Sequence, residues 1–552
     1  MVIGLNKQMG TNSRLRAFMT SRAAIALVML VFFAALFLVL RSNQFTAVDG
    51  ALRCLDVYHH PHLSFHGNNH LLYPVNIFVW SKLAGVGGLS PATPGEYLRV
   101  SQSLNCLSAA ATLALLWMLI SGILVDRLLS LLLVIVYGFS KAFMLHATNS
   151  AEPVVGLMYA IAALLTVRAA LTRDKIILAA LSGVFLGLAL ATYQAMFLAV
   201  FGGIWICLFD TSDERSLSGR RRAEVLSAFL LSCAVATAIA YGWAYAAQGV
   251  AFGWPMVRQF FRIGGGTEIY AGFSISRVVN FPIGLLSNLA PVVPRNYAGL
   301  RSLLARSNNF AWFAALAAIA LLVFIPLIAL FMGAFRTWGD WSHRRRWMAL
   351  LGAGAILPAI WPLLYWDPMY DKLWLLPFGL AAIALAYVGR FAPWSTSARR
   401  TAMLLLGALA LVEIPTNLYR AIGDSSSVTT GLKEALDVGS LVTPNDAIVL
   451  DFDEVSSLYL AYSGNENAVL LPSMHLEDAR RALAVQLQRC RQNHGRLFFL
   501  GILDQTEPTW KLFMEARMGI PYSILDQYRS ESRTVETFQI NGRPLTLRVY
   551  EP

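Results

Sequence analysis

Charge is scarce in this sequence. Only 14% of its 552 residues are Asp, Glu, Lys or Arg, while 57% are hydrophobic; a soluble protein of this length carries about 25% charged residues. Apolar windows of about 20 residues recur along the chain, the length an α-helix needs to cross a bilayer. A soluble globular protein is excluded. The apolar runs also lack alternation, which excludes a transmembrane β-barrel. Cysteine is sparse as well. The five cysteines make no metal-binding spacing: Cys106, Cys207 and Cys233 fall in apolar runs, and Cys54 and Cys490 are too isolated for a disulfide framework. Internal repeats and low-complexity tracts are not found.

The net charge of +12 does not point to nucleic acid, because basic residues gather in short segments between apolar runs, as the positive-inside rule expects. Lys7, Arg14, Arg16 and Arg22 place the N-terminus in the cytoplasm. The first apolar run, Ala23 to Leu40, has the charge flank of a signal peptide but no small-residue cleavage site, so it reads as a retained span. Leu71 to Leu83 is short for a crossing and is expected to lie at the outer surface; a true span there would reverse everything downstream. Following the basic segments onward gives about eleven spans. The count includes Phe310 to Phe331 and Trp347 to Tyr365. The expected fold class is therefore mainly α: a polytopic transmembrane domain over residues 1–416, with outer loops at 41–102 and 248–308. An odd number of spans leaves the C-terminus outside, in a multi-pass protein of the plasma or inner membrane (periplasmic in a Gram-negative cell).

From about Asn417 the composition changes. Ala447 to Phe452, Ala468 to Leu471 and Arg496 to Leu500 read as strands. Glu454 to Tyr462 reads as a helix, and His475 to Asn493 as an amphipathic helix with Leu476, Ala479, Leu483 and Leu487 on one face. Alternating strands and helices predict a small extracytoplasmic α/β domain over residues 417–552 with a largely parallel sheet. It holds no Gly-rich phosphate loop and no dinucleotide fingerprint, so its expected role is accessory.

Chemistry is concentrated in Val48 to Pro74, which gathers Asp49, Arg53, Asp56, His59, His60, His62, His66 and His70 after the first span. Half-buried polar groups at a membrane surface are costly without partners. Asp49 is placed to accept a proton from a hydroxyl or to bind a divalent metal, or it caps a helix starting at Gly50. The histidines match no zinc spacing. Glu152, in NSAEP, has the same two readings: a second acid, or a ligand beside His146 and Asn149, against an acid favoured at a helix N-terminus. Lys141 sits inside an apolar run, either snorkelling to headgroups or touching a lipid phosphate. The 248–308 loop carries Arg258, Arg262, Arg277, Arg295, Arg301 and Arg306 against the single acid Glu268. Arginines suit bidentate phosphate binding, and the loop with Lys372 is expected to cradle a lipid-linked phosphate. Contact with anionic headgroups is the alternative.

This layout resembles the membrane glycosyltransferases of the GT-C superfamily, in particular the protein O-mannosyltransferase and aminoarabinose transferase group. The resemblance is carried by Asp49 after the first span, His70-Leu71-Leu72-Tyr73-Pro74, Glu152 in the second outer loop, and YDKLWLLPF from Tyr370 to Phe378. It covers roughly residues 20 to 415 in layout. Gly50 stands where a second acid often follows, which leaves metal dependence open. The resemblance implies transfer of a sugar from a polyprenyl-phosphate donor to a glycan, lipid or protein acceptor, with inversion. Asp49 and Glu152 would be catalytic, and His70, Tyr73, Lys141, Arg258, Arg262, Arg295, Tyr370 and Lys372 would bind substrate. No soluble cofactor and no nucleic acid is implied; a divalent metal and membrane lipids are the other expected companions. Two rivals stand beside it: a flippase of lipid-linked sugars, and a non-catalytic subunit recruiting partners through its outer domain.

Overall fold

The structure, a computed structural model, describes residues 21–43, 50, 53–54, 57, 70–85, 94–124, 126–210, 218–247, 251–256, 275–289, 321, 356–364, 368, 370–391, 396–426, 430–451, 454–463, 467–474, 476–515, 519–540 and 543–552. Among them six helices are long and apolar enough to cross a membrane, or seven if one bent pair is a single span. All of the expected span Phe310 to Phe331 except Leu321, and most of Trp347 to Tyr365, lie outside the described residues.

The helical part comprises α1 (Arg22–Val39), α2 (Leu72–Leu83), α3 (Pro94–Ile123), α4 (Arg127–Phe139), α5 (Lys141–Thr148), α6 (Glu152–Arg173), α7 (Ile176–Thr192), α8 (Ala199–Phe209), α9 (Gly219–Ala247), α10 (Ile275–Leu289), α11 (Leu375–Phe391) and α12 (Thr396–Ser426). With 12 residues, α2 is about 18 Å long, too short to cross. α12 runs without a break through the compositional boundary at 416/417.

Small residues let these helices approach. Gly183 and Gly187 of α7, a GxxxG pair, lie on α9, where a Cβ at 183 would meet Phe229 O at 2.2 Å and one at 187 would meet Ala236 Cβ at 2.7 Å. At the helix ends, cations satisfy orphan carbonyls. Arg168 Nη2 donates to Gly122 O (2.9 Å) and Arg390 Nη1 to Ile123 O (2.8 Å), both at the end of α3, and Arg168 Nε pairs with Asp210 at 3.0 Å.

The sequence reads Leu128 to Leu145 as one span, but it is broken at Ser140, where α4 and α5 meet at 62°. Ser140 is extended; its hydroxyl donates to Tyr137 O (2.7 Å) and accepts from the Phe143 N–H (3.4 Å). Asn417 Nδ2 donates to Phe139 O at 2.8 Å and to Leu289 O at 3.0 Å. Backbone groups freed within a membrane need such partners.

The C-terminal part holds α13 (Thr430–Leu441), β1 (Ala447–Leu450), α14 (Glu454–Ser463), β2 (Ala468–Leu470), α15 (Leu476–Gln492), β3 (Leu497–Leu500), β4 (Arg533–Ile540) and β5 (Arg543–Tyr550). The sheet order is β2-β1-β3-β5-β4, with β1, β2 and β3 parallel and β5 antiparallel to both β3 and β4. The three parallel strands and α15 stand where the sequence placed them; the β4–β5 hairpin was not anticipated. Val455, Leu458 and Tyr459 of α14 share one apolar core with Cys54, Tyr73, Ile77, Tyr97 and Leu98, so one face of this part is continuous with the segment carrying His70. The opposite face is covered by α15 and the buried Trp510.

Candidate functional site

Glu152 opens α6, with Pro153 fixing the first turn behind it. The turn before it is held from α3: Asn105 Nδ2 donates to the carbonyls of Asn149 (2.8 Å) and Ala151 (2.6 Å). The hydroxyls of Ser101 and Ser150 share a 2.6 Å hydrogen bond. Tyr73 of α2 joins the cluster, its hydroxyl 2.8 Å from Ser101 Oγ and 3.2 Å from Asn105 Oδ1. Burial pushes this phenol well above its usual range, with Cys54 and Glu152 adding to the effect, so Tyr73 remains a protonated donor. Gly50, the residue after Asp49 in sequence, is pressed on the same turn: a Cβ there would stand 1.8 Å from Ser150 O. Only glycine permits that approach.

Two side chains converge on Glu152. His70 Nε2 is 3.5 Å and Lys372 Nζ 3.7 Å from the same Oε1. Glu152 is 1% exposed, and a carboxylate so buried is sustained only by such company. His70 has φ +63°, a left-handed conformation that costs a non-glycine residue about 1–2 kcal/mol and tends to mark functional sites. Its ring stacks on Tyr193, centroids 5.3 Å apart and planes at 12°. The Lys372 ammonium lies 4.9 Å from the Tyr370 ring centroid and 5.7 Å from that of Tyr193, inside the cation–π range of about 6 Å. A second pair adjoins: His146 Nε2 and Asp371 Oδ1 are 3.1 Å apart.

Of the residues expected from the sequence, Glu152, His70, Tyr370 and Lys372 come together from distant segments. Tyr73 is joined to them through Ser101 and Ser150. Lys141 is buried, at 4% exposure, in the first turn of α5. Asp49, Arg258, Arg262, Arg295, Arg301, Arg306 and His59, His60, His62 and His66 lie outside the described residues. Sequence reasoning missed Tyr193 and Asp371. The polar interruption Tyr193-Gln194 between two apolar runs was the available signal for the first; for the second there was only its place beside Lys372.

Among the described residues no three His, Cys, Asp or Glu side chains form a group able to hold a metal ion. Among the described residues, a positive charge beside Glu152 is supplied by the Lys372 ammonium. The cluster brings a buried carboxylate oxygen, Oε1, with no hydrogen-bond partner among the described residues, together with a primary ammonium, an imidazole and two aromatic rings. Such a set can bind an anionic group and a polyhydroxylated ring side by side.

No family model and no curated protein matches the sequence. Among solved structures, the chain is similar to ArnT from Cupriavidus metallidurans in the apo state, with 14% identity over 98% of this chain and 98% of that one and a TM-score of 0.46. The same protein bound to undecaprenyl phosphate matches with 12% identity over 96% and 97%, TM-score 0.47. The Archaeoglobus fulgidus oligosaccharyltransferase in complex with Zn and sulfate matches with 10% identity over 94% of this chain and 72% of that one, TM-score 0.45.

Proposed function

We propose that this chain is a membrane glycosyltransferase that moves a sugar from a polyprenyl-phosphate donor to an acceptor hydroxyl on the outer side of the membrane. The observation that carries the reading is the convergence of His70, Glu152 and Lys372 at one buried point. Lys372, with Arg258, Arg262 and Arg295 of the basic loop, binds the donor phosphate. The aromatic faces of Tyr193 and Tyr370 take the sugar. Asp49 removes the proton from the acceptor hydroxyl as its oxygen attacks the anomeric carbon. The bond from that carbon to the phosphate oxygen breaks, the electron pair leaves with the polyprenyl phosphate, and the configuration inverts. Glu152 orients the acceptor and holds Lys372 in place. A donor with an isoprenoid tail accounts for a catalyst embedded in lipid.

The test is transfer from a radiolabelled polyprenyl-phosphate sugar in proteoliposomes, for wild type, Asp49→Asn, Glu152→Gln and Lys372→Gln. Loss of about two to four orders of magnitude in Asp49→Asn, the usual worth of a general base, is the expected result. Full activity in Asp49→Asn removes that residue from the role, and full activity in Lys372→Gln removes the phosphate site.

A further inference from the structure

The pair formed by His146 and Asp371 has no part in the reaction as proposed, yet both groups are well shielded, with side-chain exposures of 7% and 17%. Asp371 Oδ1 does two things. It lies 3.1 Å from His146 Nε2, and it accepts the backbone N–H of Lys372 at 2.9 Å. A carboxylate oxygen can only accept, so Nε2 is the protonated nitrogen of this imidazole and donates.

Lys372 sits in the 3-10 turn Asp371–Trp374. The far end of that turn is pinned by Trp374, buried against Phe281 and Phe378, with its indole N–H donating to Pro368 O at 2.7 Å. The near end is pinned by His146. His146 itself belongs to the stretch that runs through the Asn105-held turn to Glu152. Two ties therefore join the same two stretches of chain: His146 to Asp371, and Glu152 to Lys372. The first is short and hydrogen-bonded. The second is a 3.7 Å charge contact on a long flexible side chain.

We infer that the His146–Asp371 pair is a clamp that positions Lys372: it fixes the turn from which the ammonium reaches Glu152. His146 is thus a positioning residue, acting on a ligand only through Lys372. That Lys372 meets the donor phosphate rests on the proposed function; that the clamp holds Lys372 does not.

The experiment has two arms on the intact protein. In the first, Lys372 is labelled with a water-soluble amine-reactive reagent and quantified by peptide mass spectrometry. His146→Ala should speed labelling of Lys372 several-fold. His146→Gln should label as wild type, because its amide N–H replaces the imidazole donor. In the second arm, undecaprenyl phosphate binding is measured by titration in detergent. His146→Ala and Lys372→Ala should each weaken it by about tenfold, the worth of one charge-assisted contact, and the double variant should be no weaker than Lys372→Ala alone. Unchanged Lys372 labelling in a folded His146→Ala overturns the clamp, as does loss in the double variant equal to the product of the singles. Labelling that responds, with lipid-phosphate binding indifferent to Lys372→Ala, keeps the clamp and overturns the phosphate reading.

Discussion

Replacing Gly50 by alanine would put a methyl carbon 1.8 Å from the carbonyl oxygen of Ser150, 2.5 Å from its carbonyl carbon and 2.8 Å from its Oγ. Carbon and oxygen in contact sit at about 3.5 Å or more, so the two backbones must part by more than an ångström. Overpacking of this kind costs about 1–3 kcal/mol, a loss of a few degrees in thermal midpoint. The effect on rate should be larger. A misplacement of about 1 Å at a reacting group lowers turnover by about 10²-fold, and this contact separates the residue following Asp49 from the turn that leads into Glu152. Steady-state transfer in proteoliposomes, with thermal unfolding followed in parallel, is the assay. Gly50→Ala should fold, lose about two orders of magnitude in kcat, and retain its binding of undecaprenyl phosphate to within a few-fold. Because the clash is with a backbone carbonyl, trimming the neighbour cannot cure it, and Gly50→Ala/Ser150→Gly should be equally impaired. Wild-type turnover in Gly50→Ala, or full rescue by Ser150→Gly, would refute the reasoning.

Removing Lys372 as Lys372→Ala takes one partner from a carboxylate whose side chain is 2% exposed, and should cost up to about 3–5 kcal/mol; adding Glu152→Gln should recover most of that in detergent unfolding, and simple additivity would count against the pair. His70→Gly should be more stable than His70→Ala by about 1 kcal/mol, since both lose the ring but only glycine relaxes at φ +63°; equal stabilities would mean the backbone is not strained there. In the C-terminal part, desolvation raises the Asp446 carboxyl, but hydrogen bonds from Arg496 and Thr443 outweigh it and hold the group below its usual range. Its contribution to stability is therefore present above the unfolded pKa and lost as pH falls through the folded one. Fluorescence of buried Trp510 should report acid unfolding of this part, and Asp446→Asn should flatten the acid limb; an unchanged acid limb would assign it to other carboxylates.

The helices were legible because apolar length alone reports a span. The break at Ser140 was not, because Gly138-Phe139-Ser140-Lys141 interrupts hydropathy too little; what makes the break tolerable is Asn417 on a helix far along the chain. In the C-terminal part, parallel strands of continuous apolar residues were plain. The β4–β5 hairpin was overlooked although Asn541-Gly542 lies between two alternating runs, a strong short-range hairpin signal. The site divides in the same way. Glu152 and Lys372 stand out in the sequence as charges beside apolar runs; their meeting with His70 joins three distant segments and has no local signal. Tyr193 and the His146–Asp371 pair owe their place to contacts between segments far apart in sequence, which no local pattern encodes.

The core shared by α14 and the stretch around Tyr73, Ile77, Tyr97 and Leu98 has a consequence for biogenesis. These two surfaces are separated by several hundred residues of chain, so the early one leaves the ribosome long before the late one exists to cover it. Until then its tyrosines and aliphatic side chains are bare, open to chaperones and to nonspecific association. Interrupting synthesis before α14 would thus leave behind an inserted bundle with an adhesive, unfinished crown, and quality-control proteases would be expected to clear it.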